Sequence, residues 1–385
     1  MDYYKESLKL HKKHKGKIEV NSKVPVKKQD DLSLAYTPGV AEACREIAKD
    51  EGNAYTYTSK GNMVAVVTDG SAVLGLGNIG PKAAMPVMEG KCVLFKEFAG
   101  VDAFPIALDT QDTEEIIKNV KNIAPGFGGV NLEDISAPRC FEIENRLKNE
   151  LDIPVFHDDQ HGTAIVVLAG LMNALKLVHK NEQNIRVAIN GAGAAGIAIA
   201  KLLLSYGVDD ITILDSRGAI YKGREEGMNP VKKEIAEYTN FYKQEGKLSE
   251  IIKDKDVFIG VSKGEILSKD DIKKMARDPI IFALANPTPE IWPEDAKGAG
   301  ASVIATGRSD YPNQVNNVLV FPGIFRGALD ARTRDITEKM KIKAAEALAD
   351  SVKNPKPEKI IPGPFEKGIS KRVAGAVKEF VLKTK

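Results

Sequence analysis

The chain has 385 residues, 43% apolar and 28% charged, with 55 Lys and Arg against 53 Asp and Glu. That length exceeds what one core usually serves and predicts two domains. The near-balance of charge gives no reason to expect nucleic acid or an anionic membrane surface as a partner. Three scattered cysteines, no apolar leader after Met1-Asp-Tyr-Tyr, and no uninterrupted apolar run near ~18 residues together predict a cytoplasmic protein that does not span a membrane.

Residues 1–30 are lysine-rich, and the basic run at 9–17 reads as a solvated helix face. A short helix is expected from Val40. From there apolar and amphipathic segments alternate. Residues 63–68 read as a buried strand, followed by a glycine-rich loop at 69–80 and a helix ending near Glu89. Strands are expected at 92–95, 104–108, 129–132 and 154–156, and helices at 113–123 and 138–149. This alternation implies a parallel sheet.

A long apolar helix at 163–179 leads to Ile185-Arg-Val-Ala-Ile-Asn-Gly-Ala-Gly-Ala-Ala-Gly196, which reads as strand, tight turn and helix. Gly191 supplies the turn, Gly193 leaves room for a pyrophosphate and Gly196 lets helix and strand approach, so Ala192, Ala194 and Ala195 fall in the anion-binding turn. A second strand, 210–214, ends at Asp215, close to where a ribose-binding carboxylate is expected. Ser216 and Arg217 follow it. Asp215 would favour NAD+ by repelling a 2′-phosphate, whereas Arg217 could pair with one. Strands at 257–261, 280–285 and 302–306 continue this unit. Residues 321–385 read as helices that pack back on the first domain. The expected fold class is α/β with two domains: an N-terminal α/β domain with a parallel sheet (1–160) and a Rossmann-like dinucleotide-binding domain (161–320), followed by C-terminal helices (321–385).

Two acidic pairs, Glu133-Asp134 and Asp158-Asp159, each follow a predicted strand. If those strands are parallel, their carboxyl ends share one sheet edge and four acids converge, which calls for a hard cation such as Mg2+ or Mn2+. An acidic pair at a strand end also serves as a helix cap. His157 and His161 have zinc-protease spacing, but Pro154 and the preceding strand disfavour a helix there, so a structural pair is expected. Lys91 is expected at the mouth of a buried strand, its pKa lowered towards that of a general base by a nearby cation. Tyr36 lies in a Tyr-Thr-Pro-Gly turn. Asn286 and Asn316-Asn317 are amides at strand ends, suited to anchoring carboxylates.

Six segments then fall into one order around the glycine fingerprint. They are Ser33-Leu-Ala-Tyr-Thr-Pro-Gly-Val40, Val67-Thr-Asp-Gly70 with Leu74-Gly-Leu-Gly-Asn-Ile-Gly80, Pro86-Val-Met-Glu-Gly-Lys91, Asn131-Leu-Glu-Asp134, Phe156-His-Asp-Asp-Gln-His-Gly-Thr-Ala164 and Asn316-Asn-Val-Leu-Val-Phe-Pro-Gly323. Together they resemble malic enzyme, in its short prokaryotic form. The resemblance implies oxidative decarboxylation of L-malate with NAD+ or NADP+ and Mg2+ or Mn2+. It implies that Glu133, Asp134 and Asp159 hold the metal, and that Lys91, assisted by Asp158, takes the C2 hydroxyl proton. Tyr36 would protonate C3, and Asn286 and Asn317 would steady the substrate carboxylates. It also implies a homodimer, with the N-terminal arm crossing to the neighbour. One departure stands out. The loop after Thr-Asp-Gly holds Ser71 and Ala72 where long eukaryotic members carry an arginine that clasps malate, which leaves Lys60 as the candidate cation. A malolactic product, an amino-acid dehydrogenase, a nucleotide sensor and a zinc hydrolase are the competing readings.

Overall fold

A computed structural model describes residues 2–73 and 75–384. Leu74, in the glycine-rich loop, lies outside the described residues. The first sheet is built from β1 (Met63–Thr68), β2 (Asp102–Ala107), β3 (Gly129–Leu132) and β4 (Val155–His157), all parallel, in the order β2-β1-β3-β4. β1 and β3 are almost wholly buried, as strands covered by helices on both faces must be. The register pairs Leu132 with His157, so the residues that follow, Glu133 and Asp158, leave the sheet side by side.

The second sheet contains β5 (Arg186–Asn190), β6 (Asp210–Asp215), β7 (Gly218–Ala219), β8 (Val257–Gly260), β9 (Ile280–Ala283) and β10 (Val303–Thr306) in the order β10-β9-β8-β5-β6-β7. It is parallel apart from the β6–β7 pair. Its order turns round at β5, with β6 on one side and β8 on the other. In such sheets ligands bind where the order reverses, outside the carboxyl ends of the strands.

Two expected elements differ. Residues 92–95 are not a strand: they lie within the helix Pro81–Ala99, and so does Lys91. The buried side chains of that helix are Ala84, Met88, Lys91, Cys92 and Phe95, a helical and not an alternating period. The apolar run Cys-Val-Leu-Phe looked like a strand only because the glycine before it suggested a break. The long apolar helix starts at Asp158 and not near Thr163, and runs to Val178. Both acids of the second pair therefore sit in its first turn, where negative charge complements the helix dipole. That helix has the length and apolarity to cross a bilayer, but 72% of its most apolar window is buried inside the fold.

Of the C-terminal helices Phe321–Ala331, Glu338–Ala349 and Ile369–Thr384, the first packs on the helix Pro81–Ala99 and the second on the helices Asp158–Val178 and Ala194–Tyr206. Phe321 and Phe325 meet Phe95 edge-on at 4.7 and 5.3 Å, and Phe325 meets Phe156 in β4 at 5.8 Å. By contrast, the N-terminal helix Tyr3–His14 buries none of its side chains.

Candidate functional site

The site forms where the carboxyl ends of β3 and β4 meet the helix Pro81–Ala99. Lys91 Nζ lies 2.6 Å from Asp158 Oδ2 and 3.0 Å from Glu133 Oε1. It also stands 4.4 Å from the centre of the Phe321 ring. Asp158 is 0% exposed, and its Oδ2 also accepts the amide of Asn317 at 2.5 Å. Glu133 Oε2 accepts from Asn131 Nδ2 at 2.8 Å. Asp159 Oδ2 accepts the backbone N–H of Asp134 at 2.9 Å, tying the two acidic pairs together. Gly162, one helical turn after Asp158, leaves room for this arrangement: a Cβ there would stand 2.0 Å from Asp158 Oδ1.

Two carboxylates thus grip a single ammonium, and two more, Asp134 and Asp159, stand beside Glu133. Burial pushes Asp158 up to about 6, with the Lys91 charge pulling the other way, and burial likewise raises Glu133. Lys91 differs from the sequence expectation. Burial alone would lower it, but Asp158 and Glu133 outweigh burial and raise it, so in this arrangement it is a held ammonium and not a free base. The excess of negative charge is what a divalent cation offsets. Glu133, Asp134 and Asp159 each offer an oxygen, all within 4.8 Å of one another. An all-oxygen donor set without thiolate fits Mg2+ or Mn2+.

The dinucleotide corner is equally specific. Gly191, at φ +124°, turns the chain out of β5, and a Cβ on Gly196 would collide with the Gly191 carbonyl oxygen at 1.7 Å. Gly193 caps the helix Ala194–Tyr206, and a Cβ built on it would meet nothing within 4 Å, which leaves open space at a helix N-terminus. Ala192 and Ala195 pack partly against the main core, and Ala194 reaches the core of the first sheet. The glycine-rich loop after β1 approaches from the other side: a Cβ on Gly75 would stand 3.6 Å from the carbonyl oxygen of Asn286. Asn286 is exposed, and its amide lies 3.5 Å from the Gly307 carbonyl.

Asp215 does not stand free at the end of β6. Its two oxygens take Arg224 Nη2, each at 2.8 Å, Lys232 Nζ at 2.7 Å and the backbone N–H of Arg217 at 2.9 Å. Four contacts from three donor groups fill the acceptor capacity of a carboxylate, and two cations neutralise the charge expected to repel a 2′-phosphate. Although burial raises Asp215, these donors hold it below the usual carboxylate range. Arg217 itself pairs with Glu226, while the Ser216 carbonyl accepts from Lys247.

Other expected residues lie elsewhere. Tyr36 is 66% exposed and stands outside the buried cluster. Lys60 caps the carbonyls of Ala124, Pro125 and Phe127 at 3.3, 3.2 and 2.7 Å, so its ammonium is already engaged away from the acids. Asp69, after β1, is held by Arg139 Nη2 at 2.7 Å. His157 and His161 do not share a metal set. His161 Nε2 lies 2.8 and 2.9 Å from the Glu144 oxygens, and Lys341 Nζ lies 2.9 Å from its Nδ1. Glu144, Lys341, Arg224, Lys232 and Phe321 were not singled out by sequence. A buried charge in an amphipathic helix was the available signal for Glu144 and Lys341.

Comparison with known proteins adds the following. Residues 15–148 match the family model for the malic enzyme N-terminal domain, and residues 160–382 that for the malic enzyme NAD binding domain. The chain is 62% identical to a bifunctional malic/malolactic enzyme of Bacillus subtilis, over 100% of this chain and 94% of that protein. It is also 62% identical to an NAD-dependent malic enzyme of Geobacillus stearothermophilus, over 96% and 77%. Among solved structures it resembles malic enzyme from Pyrococcus horikoshii, with TM-score 0.96 and 52% identity over 99% and 91% of the two chains. The NAD-dependent malic enzyme of Thermotoga maritima gives TM-score 0.94 at 52% identity, over 97% and 98%.

Proposed function

From the premise that the chain belongs to the malic enzyme family, whose reaction is the oxidative decarboxylation of malate with NAD+ or NADP+, we propose how its own residues divide that chemistry. Glu133, Asp134 and Asp159 hold Mg2+ or Mn2+, and Gly191 to Gly196 with Asp215, Ser216 and Arg217 hold the dinucleotide. Bound there, the cation would supply Lewis acidity towards the hydroxy acid and the nicotinamide would supply hydride-accepting capacity.

The proton work falls to Lys91 and Asp158. An ammonium cannot accept a proton, but an ammonium that passes one to Asp158 across 2.6 Å can then take another from the C2 hydroxyl. Asp158, raised to about 6, is suited to receive it near neutral pH. Asn317 fixes the Asp158 oxygen that faces Lys91, and with Asn286 it anchors the substrate carboxylates. Phe321 excludes water from the ammonium. The observation that carries this reading is the single buried cluster of Lys91, Glu133 and Asp158, joined through Asp134 and Asp159 to an all-oxygen cation site. A division of the chain near residues 160 and 320, and a reduced cytoplasmic setting for Cys44, Cys92 and Cys140, belong to the same proposal.

The deciding assay compares NAD+ and NADP+ side by side with L-malate, with and without Mn2+, and identifies the three-carbon product. Mn2+-dependent reduction of both coenzymes with release of pyruvate is expected, because Asp215 is neutralised by Arg224 and Lys232. Strict exclusion of NADP+ would contradict that role. Lactate with no net coenzyme reduction would move the chain to the malolactic reaction that its Bacillus subtilis relative also bears in its name.

Tyr36 completes the scheme as the acid at C3, supplied by the second copy of a homodimer. Tyr3, Tyr4, Leu8, Val20, Leu34 and Tyr57 are exposed along with it, which concentrates uncovered apolar surface in the N-terminal arm. Mixing inactive Tyr36→Phe and Lys91→Met chains through unfolding and reassembly is expected to restore malate oxidation. In the mixed dimer one site keeps both native groups only if they come from different chains. No recovery from dimers shown to be mixed would sink the crossing.

A further inference from the structure

We propose that Glu144 is a positioning residue that holds the metal-carrying turn from behind, and that Lys341 maintains that hold. The proposal rests on the cation reading above and goes beyond it to a group that touches neither metal nor substrate.

Asp158 and Asp159 occupy the first turn of the helix Asp158–Val178, flanked by His157 and His161. One carboxylate grips both flanks. Glu144 Oε1 accepts the backbone N–H of His157 at 3.1 Å, and both its oxygens face His161 Nε2. The two acids are thus bracketed by bonds to a single buried side chain on the helix Arg139–Glu150. The state of His161 is set from its other nitrogen. Lys341 Nζ can only donate, so Nδ1 accepts and the ring proton sits on Nε2, aimed at Glu144. Lys341 is itself fixed by Glu338 at 2.6 Å. The line Glu144, His161, Lys341, Glu338 therefore links a helix of the first domain to a C-terminal helix through the turn that bears Asp159.

This network lies apart from the acids' reacting side. Glu144, His161, Lys341 and Glu338 border a cavity of about 640 Å³ whose lining includes none of Lys91, Glu133, Asp134, Asp158 or Asp159. Asp159 must present one oxygen to the cation while the other accepts Asp134 N–H, which leaves little tolerance for rotation of the turn. Groups that orient metal ligands without touching the metal alter affinity by about 10–100-fold when removed.

The test measures Mn2+ binding to the full-length protein by the electron paramagnetic resonance signal of free Mn2+, with coenzyme binding followed by NADH fluorescence and folding by circular dichroism. Glu144→Ala is expected to weaken Mn2+ about 10–100-fold at unchanged NADH affinity and native dichroism. Glu144→Gln keeps an acceptor oxygen and is expected to retain affinity within about threefold of the parent. Lys341→Met, which fills the buried volume without the donor, is expected to weaken Mn2+ in the same direction. Native-like Mn2+ affinity in Glu144→Ala overturns the proposal, as does loss of NADH binding in parallel with Mn2+, which marks a scaffold defect. If Glu144→Ala does not fold, unchanged affinity in Lys341→Met overturns it. Failure of the parent protein to bind Mn2+ would instead overturn the cation reading itself.

Discussion

Replacement of Lys91 by methionine is expected to lower kcat for malate oxidation by about 10²–10⁴-fold while leaving NADH affinity unchanged. The size follows from the role: removing a positioned proton carrier raises the barrier by about 3–5.5 kcal/mol. Methionine is the informative substitution because it keeps the stem between Phe321 and the acids, and its sulfur tolerates contact with an aromatic ring. The change also leaves Glu133 and Asp158 buried without their cation. Breaking a buried pair commonly costs about 3–5 kcal/mol, but both acids already tend towards the neutral form, so the folded state has a way to relax. Steady-state kinetics, NADH fluorescence and thermal unfolding separate these effects. A kcat within threefold of the parent would remove Lys91 from the chemistry.

Loss of the divalent cation is expected to have the other large effect. Malate-dependent reduction should fall to background in EDTA and return on adding Mn2+, with coenzyme binding unaffected throughout. Asp159→Ala should reproduce the defect in the protein itself, weakening Mn2+ by at least about 100-fold, since one of three oxygen ligands is gone. Asp159 serves better for this test than its buried partners. Its side chain is partly exposed, and its removal costs the hydrogen bond from the Asp134 backbone N–H, about 1–3 kcal/mol of stability, and the 3.8 Å approach to His157 Nδ1. Full turnover after exhaustive chelation would exclude a metal-assisted decarboxylation.

Much of this site could be read from the chain because its acids directly follow strands. A strand fixes the direction of the residue after it, so parallel neighbours deliver Glu133 and Asp158 to the same edge without any knowledge of the packing. The glycine fingerprint was legible for a similar reason: backbone geometry at Gly191 and Gly196 admits no side chain. Lys91 was expected at the mouth of a strand because a short apolar run cannot distinguish the two periods, and only the spacing of Ala84, Met88, Cys92 and Phe95 reveals the helix. Asp215 was recognised, but its neutralisation was not, since Arg224 and Lys232 reach it from a loop and a later helix whose path no local pattern dictates. Lys60 failed for the opposite reason. It looked available, yet carbonyls at the end of a distant helix had already claimed its ammonium.

The covering of Lys91 by Phe321 and of Asp158 by Asn317 has a consequence for how the protein is made. During synthesis the ribosome releases the first sheet, with its lysine and crowded acids, long before the segment that shuts them off from water exists. Until then the lysine lacks the ring that covers it and Asp158 lacks the amide that fixes its oxygen. The cluster is therefore complete only when the segment carrying Asn317 and Phe321 has been made and has docked on it.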